Sequence, residues 1–491
     1  MAEIATSPST RGHFGLSLPL IVVLGVYTHV LLFADRVLGD ADTYWHITVG
    51  RWIIAHRTVP HEGIFSATMP HGPWVAHEWL GEVVLAGLFD YFGWAGVVVA
   101  TALCVAIALA MLLRVLLRSL EPVHALVATV LAYFLTMPHI LARPHIFTLP
   151  ILVAWVAALV RSRGEDRAPS PWLALLMILW ANLHGGYMFG LGLAALLGGE
   201  AVFLAADWPA RRRAARGWAA FGGLLAIAAL ITPFGIDGLL LPLRLSQMSS
   251  VVAQIGEWRS PDFHSVEPIE LWIMLGFLAA LSLGWRLPPT RVLLLLLLLH
   301  MALRHQRFGE LLGLVTPLLV AAALAPQLSR RSVSVSDRFM ATLAKPAGIG
   351  GVGLAGALML AISGVLLHGA GTHKASVITP EAALAAVRAG HVEGPVLNDY
   401  NFGGYLIFSG VAPFIDGRAE LYGDAFIKRY FEAMLLQSDQ LPHLLTEYGV
   451  TWTLISPNLP AVVLLDHLPG WRRLYADDIA VVHVREDQPV R

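Results

Sequence analysis

The sequence predicts an α-helical polytopic membrane protein with about eleven transmembrane helices and a small C-terminal extracytoplasmic α/β domain. Three observations predict it. Of 491 residues 56% are hydrophobic and only 14% charged, and a mean hydropathy of +0.66 is too apolar for an ordinary soluble chain. Apolar runs of span length alternate with connections that are basic at every second position. From about residue 378 the pattern changes to short β-prone runs, turn signals and amphipathic helical stretches.

The spans read near 16–35, 83–113, 122–137, 146–160, 171–184, 188–206, 217–232, 270–284, 291–303, 309–326 and 348–368. The first follows Arg11 with no small-residue cleavage motif after it, so it reads as a retained span. Alternate connections carry Arg114 and Arg118; Arg161, Arg163 and Arg167; Arg211, Arg212, Arg213 and Arg216; Arg286 and Arg291; and Arg330, Arg331, Arg338 and Lys345. The positive-inside rule makes these cytoplasmic. The N-terminus is then cytoplasmic, and the loop 36–82, the turns near 138–145 and 185–187, the loop 233–269, the turn 304–308 and the tail 369–491 lie on the other side. The expected setting is a bacterial inner membrane. The division is a membrane part, 1–326, a cytoplasmic linker and last span, 327–368, and the tail domain.

In the tail, Gly394–Leu397, Tyr405–Phe408, Pro413–Ile415, Trp452–Ile455 and Ile479–Val482 read as strands, with helices at 380–389, 425–437 and 440–448. The formal net charge of −1 and the lack of a basic patch exclude a nucleic-acid partner. The one cysteine, Cys104, excludes an internal disulfide or a cysteine metal cluster.

Polar side chains near hydrocarbon are costly and mark cavities or ligands, and here they collect on the non-cytoplasmic side. Asp42 and His46 share a helix face, four residues apart, while Trp45, Val49, Trp52 and Ile53 line another. That predicts a helix lying in the membrane interface with its aromatic face in lipid. Asp40 and Asp42 at its start are the leading catalytic residues; a solvated acidic loop is the plainer alternative. Glu78, in Pro73-Trp-Val-Ala-His-Glu-Trp79, is a third acidic candidate, and a bare helix-end anchor is as good a reading for it; for Glu82, one turn on, the anchor is the better one. Arg143, Arg304 and Arg307 suit a phosphate through their planar donor forks, against interfacial snorkelling. His46, His77, His145, Asn182, His184 and Glu257 complete the expected substrate-binding set, although for Asn182 and His184 a buried, satisfied polar pair is at least as good a reading. No obligatory cofactor is expected. A divalent cation, Mg²⁺ or Mn²⁺, on Asp40 and Asp42 is the alternative, although no paired-histidine helix motif accompanies it.

The loop stretch Asp40-Ala-Asp-Thr-Tyr-Trp-His46, the helix Ile47–His56, Pro60 and Trp74-Val-Ala-His-Glu-Trp79 resemble the first loop of GT-C glycosyltransferases, a superfamily that includes protein O-mannosyltransferases and lipid A aminoarabinose transferases. The likeness in order of features covers residues 16–326, and only the first loop is motif-like. Asn398–Leu406 and Phe414-Ile-Asp-Gly-Arg418 look like the tail of bacterial membrane proteins grouped with them. The resemblance implies transfer of a sugar from a polyprenyl-phosphate carrier to an envelope glycan, lipid or protein acceptor. It implies a general base or metal ligand at Asp40 and Asp42 and a second acidic position at Glu78. Asp40-Ala-Asp42 stands where many relatives have adjacent Asp-Glu, and His77-Glu-Trp79 where they have Lys-Pro-Pro. A transporter is a competing class, although no inverted repeat supports it. So is a non-catalytic scaffold that binds a partner through Asp416, Arg418, Tyr400, Tyr405 and Tyr422.

Overall fold

A computed structural model describes residues 16–249, 255–329, 335–367 and 376–487; Arg11, Arg330 and Arg331 lie outside them. Each of the eleven apolar segments falls on a helix, from Leu18–Leu32 through Ile349–Leu367. Five reach the length and apolarity of a full crossing: Trp79–Leu116, Pro122–His139, Pro144–Gly164, Gln306–Leu328 and Ile349–Leu367. Others are shorter; Leu173–Leu183 has 11 residues, roughly 16 Å of rise against a hydrocarbon layer of about 30 Å. Trp79–Leu116 bends at Gly93, where φ is 60°, so its first turns and its long apolar part take different directions. One continuous apolar core, with Leu109, Leu112, Val153, Trp155 and Val315 fully buried, holds the bundle.

The tail forms a four-stranded sheet ordered β1-β2-β4-β3, with β1 Val396–Asn398, β2 Trp452–Ile455, β3 Trp471–Ala476 and β4 Val481–Arg485. β1 pairs parallel with β2, and β4 is antiparallel to both β2 and β3. Helices Glu381–Ala389, Ala419–Met434 and Gln440–Glu447 flank it, close to the predicted ranges. Two predicted strands are absent. Tyr405–Phe408 is helical, within Gly403–Phe408, because Tyr405 and Phe408 both place their rings edge-on to Tyr44 of the loop, at 5.6 and 5.5 Å. That tertiary contact overrides a β-prone composition. Pro413–Ile415 forms no strand and bends at Phe414. β3 was not foreseen, since its Arg472-Arg473 pair interrupts the apolar pattern.

The interface-helix expectation is corrected. Helix Asp42–His56 forms, but Trp45, Val49 and Ile53, at most 6% exposed, are buried against the tail rather than left for lipid. They share a core with Trp74 and with Leu397, Ile407, Phe414, Ile415 and Leu421 of the tail. An apolar stripe has the same sequence signature whether lipid or protein covers it.

Candidate functional site

Five connections from different parts of the chain meet at one end of the bundle, and their charged side chains form two adjoining groups. The first is centred on Arg143, which ends the turn before the short helix Pro144–Thr148. Its NH2 lies 2.5 Å from Asp40 Oδ2 and 3.1 Å from Asp42 Oδ2, and its NH1 lies 3.1 Å from Glu257 Oε2. Arg307 NH1 reaches the other oxygen of Glu257 at 3.4 Å and stacks over the Trp258 ring at 4.3 Å. Glu257 thus bridges two guanidinium groups.

The two aspartates are not equivalent. Asp40, 7% exposed, accepts the backbone N–H of Asp42 at 2.7 Å, so it caps the start of helix Asp42–His56 while Arg143 binds its second oxygen. Asp42 accepts the Trp45 indole N–H at 2.9 Å. Burial raises its pKa against the opposing pull of Arg143, to about 7. Glu257 moves the other way: burial would raise it, but Arg143 and Arg307 together hold it down at about 2.

The second group surrounds Glu78 with three imidazoles. His46 Nε2 lies 3.5 Å, His77 Nε2 3.5 Å and His184 Nε2 3.3 Å from its carboxylate. His46 Nδ1 meets Glu82 at 3.3 Å. Burial, before any neighbouring charge, lowers the pKa of His46 well below the usual value and raises that of Glu78. The group is a close set of hydrogen-bonding heads around one carboxyl. Glu82, read as a helix anchor, belongs to it and is 1% exposed.

The remaining expected residues divide. His145 stands beside His184, ring centroids 6.0 Å apart, and its Nε2 contacts the His139 carbonyl. Asn182 uses both amide hydrogens within the fold: it donates to the carbonyls of Ile178 and Ile231 and accepts from Trp79 Nε1 at 2.8 Å. It braces helix ends beside an apolar cleft of about 500 Å³ lined by Trp79, Leu175, Ile178 and Leu179. Arg304 is exposed and outside the cluster; it ends helix Pro289–Arg304, whereas the following short turn swings Arg307 back onto Trp258. The donor-phosphate role expected of Arg304 is therefore withdrawn.

A cation on Asp40 and Asp42 does not fit this arrangement. The Arg143 guanidinium lies between the two carboxylates where the ion's charge would be, and Trp45 takes a further oxygen. Among the described residues no group of three or more His, Cys, Asp or Glu has an ion-holding arrangement.

The tail supplies parts the sequence reading left outside the site. A Cβ on Gly404 would overlap the Ala41 carbonyl, and one on Gly417 would overlap Asp42 Oδ1. Only glycine permits these approaches. Asp416 and Arg418, both fully buried, form a two-bonded ion pair at 2.8 and 2.7 Å, joined by the Tyr422 hydroxyl at 2.6 Å. Arg418 lies 4.9 Å from the Trp74 ring, and Trp74 donates to Glu420 at 2.8 Å. Tyr400 is close enough for Asp42 to act on it: burial first, then Asp42, raises its pKa well above the usual range, so its hydroxyl keeps its proton. The signal for these roles was the pair of motifs Asn398–Leu406 and Phe414–Arg418; what they pack on was not readable.

No known family profile matches the chain, and no curated protein does. Among solved structures, ArnT from Cupriavidus metallidurans in the apo state superposes with a TM-score of 0.50 at 12% identity, over 94% of this chain and 97% of that one. The same protein bound to undecaprenyl phosphate gives 0.48 at 13% identity, over 95% and 97%. The apo oligosaccharyltransferase of Archaeoglobus fulgidus gives 0.46 at 10% identity, over 89% and 69%. Along nearly its whole length, then, this chain has the fold of ArnT.

Proposed function

We propose that this protein transfers a sugar from a polyprenyl-phosphate carrier to an acceptor at the non-cytoplasmic face of the membrane, by single displacement. The observation that carries the reading is the unequal pair Asp40 and Asp42 sharing Arg143. Each is bound on both oxygens, but Asp40 accepts a backbone N–H and so fixes the loop, whereas the partners of Asp42 are the Trp45 and Arg143 side chains. Asp42, with a pKa of about 7, is a base tuned to neutral pH.

In the reaction the acceptor hydroxyl attacks the anomeric carbon while Asp42 takes its proton. The bond from that carbon to the carrier phosphate oxygen breaks, and the electron pair leaves with the phosphate. Arg143 and Arg307 stabilise the charge that develops there, the larger contribution in reactions of this kind. His46, His77, His145 and His184 and the Glu78 carboxyl offer donors and acceptors to sugar hydroxyls beside the phosphate-binding arginines. No metal takes part in this scheme, because Arg143 occupies the position between the carboxylates.

The test is transfer from a panel of labelled hexosyl and pentosyl polyprenyl phosphates by the purified, reconstituted protein. Asp42→Asn is expected to lose about 10²–10⁴-fold in rate, and added chelator to change nothing. Full transfer by correctly inserted Asp42→Asn protein overturns the assignment of the base.

A further inference from the structure

Resting on that reading, we infer that Glu257 is a built-in stand-in for the carrier phosphate: it holds the two phosphate-binding arginines together until the lipid's anion displaces it. Glu257, expected from the sequence to bind substrate, on this inference competes with it instead.

Glu257 presents one oxygen to each arginine, Oε2 to Arg143 at 3.1 Å and Oε1 to Arg307 at 3.4 Å. That two-point bridge is the one a phosphate would make between the same groups. Arg143 is already in contact with three carboxylates, so an incoming anion must replace one of them. Exposure picks it out. Asp40 is 7% and Asp42 19% exposed, and both are tied to helix Asp42–His56, whereas the Glu257 side chain is 29% exposed. It sits on the single short turn Gly256–Trp258.

The turn's backbone need not move. Gln306 donates its side-chain amide to the Gly256 carbonyl at 2.6 Å, and its backbone N–H to the Arg259 carbonyl at 2.9 Å. The Trp258 ring lies 4.3 Å from the Arg307 guanidinium and gives it a contact besides Glu257. Rotation of one side chain therefore exposes two pre-aimed guanidinium groups. Without Glu257, like charges would face each other across an empty gap. With it, the resting site is close to neutral and any small anion must compete with an internal one.

The internal competitor lowers apparent affinity by the fraction of protein in which the bridge is open. If the bridge is closed about nine times in ten, removing its charge tightens binding about tenfold. The experiment measures binding of undecaprenyl phosphate to the full-length protein in nanodiscs, with inorganic phosphate as a headgroup-only probe. Glu257→Gln is expected to bind the lipid about tenfold more tightly than the parent, Arg307→Gln more weakly, and the double variant without the gain. Glu257→Asp, one methylene shorter and unable to bridge both groups, is expected to fall between parent and Glu257→Gln. It keeps the test open should Glu257→Gln insert poorly. Unchanged or weaker lipid binding by Glu257→Gln and Glu257→Asp overturns the inference. Binding is read apart from turnover, so the two readings fail separately. Tighter lipid binding with no sugar transfer by the parent sinks the transferase reading alone, and transfer without the gain sinks the stand-in alone.

Discussion

Two carboxylates in this molecule are each held between two arginines, at opposite ends of the bundle. Glu200 meets Arg163 at 3.3 Å and Arg291 at 3.0 Å, and accepts the Thr290 hydroxyl at 2.5 Å. Glu257 meets Arg143 and Arg307. The difference lies in what carries them. Glu200 sits on helix Tyr187–Phe203, Arg163 on Leu149–Gly164 and Arg291 on Pro289–Arg304, and the carboxylate is 6% exposed. Its geometry is set by backbone hydrogen bonds, and no solvent path favours opening. Glu257 and its partners stand on turns, and its side chain is 29% exposed. The same chemical motif fastens helices at one end and remains exchangeable at the other.

That contrast can be broken in four places, taken here from the largest expected effect on transfer to the smallest. Arg143→Gln leaves three carboxylates without their common partner and removes a leaving-group cation. Loss of a buried partner costs about 3–5 kcal/mol, and transfer is expected to fall below detection while insertion, checked by protease accessibility, persists. Asp42→Asn follows, at about 10²–10⁴-fold in rate. Its companion is the pH profile of the parent. Burial raises Asp42, so the base form accumulates only as pH climbs through about 7, and the rate is expected to rise across that value and to lose the limb in the asparagine variant. Gly417→Ala places a methyl group on Asp42 Oδ1. A displacement on the order of 1 Å at a reacting group costs about 10²-fold, so the rate constant is expected to drop with little change in the Michaelis constant for the lipid donor. Glu200→Gln is expected to leave transfer unchanged and lower the melting temperature, since it disturbs a fastening far from the chemistry. A fall in donor affinity in that variant would erase the distinction between the two ends.

Much of this was legible in the residues. The eleven apolar segments all became helices because hydropathy reports burial directly, in lipid or in protein. Asp40, Asp42, Glu78, Arg143, Glu257, Arg307 and the four histidines converge, because polar groups retained at membrane depth have few other uses. Asn182 had two readings, and its bonds to Trp79 and to the Ile231 carbonyl, too distant in sequence for a local pattern to reveal, go with the structural one. Arg304 looked equivalent to Arg307, and only the short turn between them separates their directions. Glu82 hid inside an apolar helix start. The part played by the tail was the least legible: Gly404 and Gly417 read as turn glycines, whereas their role is set by the carbonyl and carboxylate opposite, more than 360 residues earlier in the chain.

The covering of helix Asp42–His56 by the tail also fixes the order in which the site comes into being. The loop bearing Asp40 and Asp42 is synthesised near the beginning and the tail that seats on it near the end, so Trp45, Val49, Ile53 and Trp74 lack the cover of Leu397, Ile407, Phe414, Ile415 and Leu421 until the tail has been made. The two aspartates are not locked in place during synthesis. Premature termination before the tail yields a chain with its apolar helices and an uncovered aromatic strip that chaperones and proteases can recognise.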